Sequence, residues 1–335
     1  MAGSDKAYKF LIPTIIIIAG VFLIVSKKNE SRVVNPSHDY AQKYLVLVRD
    51  QDPKIALTSL RTEMATDNNL AKHCHSVTHQ IGREAFKKYS DFAKALQYND
   101  LICTDGYFHG VIEARLLDSK NIEEDIKHLC DDYPEGNPLS WQCFHGIGHG
   151  VMFYSANDLP RSLDFCSAYT SLFSLNECYQ GVYMENFNAD ENIHPSQYVD
   201  PKDPSYPCTE QNGELRKSIC YNMVPLYYLS LHPGEYGRAL EWCATQEGYE
   251  KHCASGVGSV YVRDNLNSPS GVEKECNRSD NLASFCIAGA AALLINQNGT
   301  LSQVIDFCAK VEDRHKASCN AAIDLNRSNF SLQPE

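Results

Sequence analysis

The sequence predicts an all-α chain of αα-hairpin repeats, with one disulfide per repeat and a membrane helix at its N-terminus. Three observations carry the repeat. Cysteines recur in closely spaced pairs, short amphipathic stretches alternate with longer apolar ones, and a glycine follows the second cysteine of most pairs at a fixed step.

The first element is apolar. Phe10 to Val25 carries only Thr14 as a polar side chain and is flanked by Lys6 and Lys9 before it and Lys27 and Lys28 after it. Snorkelling lysines extend such a run toward a membrane span, and Pro13 is tolerated there. No small-x-small cleavage pattern precedes Lys27, so residues 1–28 read as an uncleaved anchor rather than a removed signal. Residues 29–52 are polar, contain Pro36 and end just before Pro53. They read as a stalk leading into a domain over 53–335.

Cysteine places that domain. Fourteen cysteines, none before residue 74, are too many for a reducing cytosol, and their even number suits a disulfide framework. Sequons at Asn29, Asn277, Asn298, Asn326 and Asn329 permit glycosylation. The folded part is therefore expected on the extracytoplasmic side, at a cell surface or in a lumen.

After Cys74 and Cys103, the cysteines pair in order as Cys130/Cys143, Cys166/Cys178, Cys208/Cys220, Cys243/Cys253, Cys276/Cys286 and Cys308/Cys319, the partners standing 10 to 13 positions apart. Successive second cysteines lie 35, 42, 33, 33 and 33 residues apart, the period of helical-hairpin repeats. The first of each pair closes a short amphipathic stretch, as in RSLDFC ending at Cys166 and RALEWC ending at Cys243. The second opens a longer apolar stretch, as at Cys143 and Cys286. Each unit thus reads as a long helix, a turn, a short helix ending in cysteine, and a loop. Pro160 suits a first helical position, and Thr300 suits an N-cap. A bridge from the short helix to the next long helix closes each loop, worth about 3 kcal/mol in lost chain entropy. Cys74–Cys103 is left as the seventh bridge.

Three residues after the long-helix cysteine stand Gly106, Gly146, Gly181, Gly256 and Gly289, with Ala322 in the last unit. Glycine costs about 1 kcal/mol against alanine inside a helix, so its recurrence implies close approach of neighbouring long helices. In outline this resembles tetratricopeptide or Sel1-like solenoids, whose signature residues are absent.

Histidine singles out the first part of the domain (residues 69–190) against a histidine-poor remainder (200–325). Of twelve histidines, seven fall between positions 73 and 149. His75/His79 and His145/His149 are His-x-x-x-His pairs, one turn apart on a helix face. His109 and Glu113 repeat the spacing with a carboxylate, and Glu185 holds the comparable place in the next unit. Adjacent long helices can bring these faces together around a transition metal, copper or zinc by ligand type. A non-covalent haem or a dinuclear site stays open, as do histidines that merely fill a helix seam and a metal-free acid/base site. Glu113 is the candidate general base if the site is hydrolytic. His73, His128, His194, His232, His252 and His315 read as surface or loop residues. Tyr107, Tyr183, Tyr227, Tyr228 and Tyr261 read as packing within long helices.

Several function classes are excluded. A net charge of −12 and a pI near 5.5, without a basic stripe, argue against nucleic acid. The cysteine spacing lacks the Cys-x-x-Cys of zinc or iron–sulfur sites, and no phosphate-binding or nucleophile-elbow motif occurs. The sequence therefore points to a membrane-anchored metal or cofactor protein. The alternatives are a scaffold binding an envelope protein or glycan on its concave face, or a structural envelope component.

Overall fold

The computed structural model describes residues 36–330 apart from 138, 190–194, 299 and 300, and every regular element among them is helical. The apolar run at 10–25, the start of the expected stalk, Asn29, His194 and Thr300 lie outside the described residues. Among those described, no helix is long and apolar enough to cross a membrane.

The expected stalk is in fact helical over Pro36–Asp50, and Ala41, Tyr44 and Val48 on it are fully buried. Their spacing of three and four is that of a helix face, which the many charges around them obscure. This helix packs against Asn68–Tyr89. Lys88 of that longer helix donates to the carbonyls of Val48, Arg49 and Gln51, satisfying the exposed C-terminal end. Asp52 then caps the helix Pro53–Met64, accepting from the amide of Ile55 at 3.0 Å.

The long helices are named here by their cysteines. They are the Cys74 helix (Asn68–Tyr89), the Cys103 helix (Ile102–Leu117), the Cys143 helix (Ser140–Tyr154), the Cys178 helix (Leu172–Phe187), the Cys220 helix (Glu214–Met223), the Cys253 helix (Glu250–Asp264), the Cys286 helix (Ala283–Asn298) and the Cys319 helix (Asp313–Phe330). Each packs beside the next in chain order. Short helices such as Leu159–Cys166, Tyr236–Cys243 and Val272–Cys276 bring the first cysteine of a pair to the start of the following long helix. All seven sequential pairs stand at bonding distance, with Cα–Cα separations of 5.4 to 5.9 Å, and no described cysteine is free.

Glycine sets the helix spacing where the histidines lie. A Cβ on Gly110 would stand 2.0 Å from the carbonyl oxygen of His79, and one on Gly82 would stand 2.1 Å from that of Tyr107. The Cys74 and Cys103 helices therefore touch backbone to backbone. Gly148 and Gly181 make the same reciprocal contact between the Cys143 and Cys178 helices.

An open solenoid keeps its distant units apart, and this array does not. The Cys253 helix reaches back to the Cys74 helix through Lys72 and Asp264 at 3.3 Å, and just beyond it Asn267 donates to Asn68 at 2.8 Å. The Cys286 helix likewise contacts the Cys103 helix. The row of helices closes on itself.

Candidate metal centre

Four histidines from three neighbouring helices meet in the interior. His75 and His79 come from the Cys74 helix, His109 from the Cys103 helix and His149 from the Cys143 helix. A ligand nitrogen from each lies within 4.8 Å of the others. Ring centroids are 4.4 to 6.1 Å apart for every pair. His79, His109 and His149 are 5%, 0% and 1% exposed; His75 alone reaches the surface, at the edge. The contact glycines permit this convergence by letting short side chains meet.

Each ring is held by its other nitrogen. His79 Nδ1–H donates to Glu113 Oε1 at 2.6 Å, and His149 Nδ1–H donates to Glu185 Oε2 at 2.7 Å. His75 Nδ1 lies 2.7 Å from the carbonyl oxygen of Cys103 and 3.2 Å from Thr104 Oγ1. His109 Nε2 lies 2.8 Å from Gln142 Oε1. The second oxygen of Glu113 accepts from Arg83. Imidazoles whose far nitrogen is fixed by a carboxylate, amide or carbonyl are characteristic of metal ligands.

The tautomers follow. The Cys103 carbonyl and the Arg83-paired carboxylate of Glu113 both accept, so His75 and His79 each carry their proton on Nδ1. Their Nε2 atoms then face each other 3.0 Å apart as two lone pairs. Protonating one ring would relieve the clash, but burial opposes it. Desolvation pushes His75 and His149 down to about 4, with His149 adding to the effect on His75. His79 and His109 are pushed well below the usual imidazole range, first by burial and then by their neighbouring rings. His149 Nε2 and His109 Nδ1 are buried with no hydrogen-bond partner among the described residues. The four histidines therefore form a cluster that could hold a metal ion.

The size fits. Four nitrogens bound at about 2.0–2.1 Å around one ion stand about 3.4 Å apart, within the 3.0 to 4.8 Å found here. A porphyrin does not fit, because the rings touch one another and leave no gap of its breadth.

Of the expected ligands, the structure leaves His145 outside the cluster and keeps Glu113 and Glu185 beside it. His145 belongs to neither group of converging donors; it lies beside His109 and His149, stacked on Trp141 at 5.4 Å, with Nδ1 unpartnered. Glu113 is fully buried, with one oxygen on His79 and the other on Arg83. His79, Glu113, His149 and Glu185 also form a tight group, but in it the carboxylates occupy the outer nitrogens of the same rings.

Sequence reasoning missed Arg83, Gln142 and the Cys103 carbonyl. Arg83 stands four residues after His79, and Gln142 immediately precedes Cys143, so each was visible only as a polar residue on a helix bearing histidine. His315 is not a surface residue: it is 1% exposed and bridges Ser284 and Asn277. Asn277 also binds Glu312 and Arg314, and Asn326 donates to the carbonyl of Ala322 within a helix.

No protein-family model, curated protein or solved structure matches the chain.

Proposed function

We propose that this is an extracytoplasmic metal-binding protein in which His75, His79, His109 and His149 hold one transition-metal ion, zinc or copper. The observation that carries the reading is the pair of facing, unprotonated Nε2 atoms of His75 and His79 at 3.0 Å, a contact that is repulsive unless an ion lies at it. Imidazole-only donors suit zinc and copper. The seven disulfides support an oxidising compartment. The apolar run from Phe10 to Val25 supports anchorage to a membrane.

Four protein nitrogens fill a tetrahedral sphere, whereas hydrolytic zinc sites keep a position for water. With Glu113 fully engaged, the arrangement favours a structural, carrier or electron-transfer centre over a hydrolase.

Elemental analysis of the oxidised protein, purified without chelator or affinity histidines, tests this. One equivalent of zinc or copper is expected, and it should be lost in the His79→Ala/His149→Ala variant. Absence of metal, even after incubation with either ion, would overturn the proposal.

A further inference from the structure

We infer that the Cys74–Cys103 disulfide is a positioning element of the metal centre, so that the chain reaches full metal affinity only once this bond has closed. The inference rests on the four-histidine reading above. His75 follows Cys74 directly, and its Nδ1–H donates to the carbonyl of Cys103 at 2.7 Å. The ligand therefore hangs between the two half-cystines. The other three ligands are oriented by side chains, those of Glu113, Gln142 and Glu185.

This bridge also differs from the other six. Those close short connections between a short helix and the next long one, over 10 to 13 residues. Cys74–Cys103 spans 29 residues and ties two neighbouring long helices together. At its far end, Cys103, Thr104 and Asp105 all have left-handed backbone angles, with φ of 57°, 57° and 58°. Residues with side chains rarely adopt that conformation unless their surroundings impose it. The cross-link anchors the first of the three, and the direction of the Cys103 carbonyl depends on that run. His75 is moreover the least buried of the four, intermediate where the others are buried.

Closing the bond moves two protons and two electrons from the Cys74 and Cys103 thiols to a disulfide donor, which leaves as a dithiol. In a reducing compartment the donor is lacking and His75 is unanchored. Metal loading would then follow export.

The test is zinc affinity, measured by competition with a chromophoric chelator, in C74S/C103S with the other six bridges verified by mass spectrometry. Loss of a partner that orients a ligand costs about 10- to 100-fold in affinity, and a fall in that range is expected. C308S/C319S should match the parent protein. On a His75→Ala background, removing the Cys74–Cys103 bridge should change affinity no further. Parental affinity in C74S/C103S, or a further tenfold loss on the His75→Ala background, would overturn the inference. Failure of the parent protein to bind zinc or copper would instead overturn the metal reading. Should C74S/C103S not fold, oxidative refolding of the parent chain decides. Zinc retention should appear together with Cys74–Cys103 closure in alkylation mapping, and retention before closure would count against it.

Discussion

His79 and Glu113 sit on neighbouring helices with Nδ1 and Oε1 2.6 Å apart, and Arg83, one turn beyond His79, closes on the other carboxylate oxygen. Both residues are buried, so the pair acts in a low dielectric, where a hydrogen bond to a charged group is strong. The carboxylate makes the imidazole a better donor to an ion on its far side.

Glu113→Gln keeps the shape and removes that charge. Zinc affinity should fall about 10- to 100-fold while helicity by circular dichroism is retained. Unchanged affinity would show that Glu113 serves packing alone.

The buried histidines make a pH signature. Their folded values lie below the unfolded value near 6.5: burial brings His75 and His149 to about 4 and holds His79 and His109 well below the usual imidazole range. Between those limits the unfolded chain binds more protons, so stability falls as pH drops. Urea unfolding of chelator-treated protein should therefore weaken from pH 6.5 down through 4. Zinc should raise stability above that window and be displaced by protons within it. A flat metal-free profile from 6.5 to 4 would contradict the buried neutral rings.

Gly110→Ala places a methyl 2.0 Å from a backbone oxygen of His79, which cannot step aside. A cost of about 1–3 kcal/mol is expected, together with weaker metal binding, because the helices carrying the ligands are driven apart. Gly150→Ala meets only the Leu116 side chain, at 2.6 Å, and should cost less. Comparing the two unfolding midpoints checks the order.

Tyr44→Ala tests whether the segment before Pro53 belongs to the folded body. Its side chain is fully buried, and truncating a large aromatic in a core costs about 3–5 kcal/mol. A solvent-exposed stalk would show no change in a denaturant titration.

The cysteine spacing made the six short-range pairings readable because each short loop leaves its bridge few other partners. The glycines at the third step after Cys103, Cys143 and Cys178 were readable because glycine inside a helix needs a reason. Gly82 and Gly148, which complete the backbone contacts, carried no such regular step. The histidine spacing marked the helix faces but did not distinguish His145 from His149 on the same face. That choice depends on Glu185 standing behind one ring and not the other, across a helix boundary. The helix Pro36–Asp50 was hidden by charge, since Ala41, Tyr44 and Val48 supply a narrow apolar stripe among Asp39, Lys43, Arg49 and Asp50. The return of the Cys253 helix to the Cys74 helix has no local signal at all.

That return changes how the molecule comes apart. In a linear array each unit leans only on its neighbours, so ends fray singly and terminal units can be trimmed. Here Asn267 meets Asn68 across 199 residues of chain. Entropy penalises such a loop only weakly at equilibrium, about 0.6 kcal/mol for each doubling of length. Cutting the chain after the fourth long helix would strip partners from the first one, which carries His75 and His79. The histidine-poor half, which supplies no ligand, thus braces the half that does, and the two should melt in a single cooperative step.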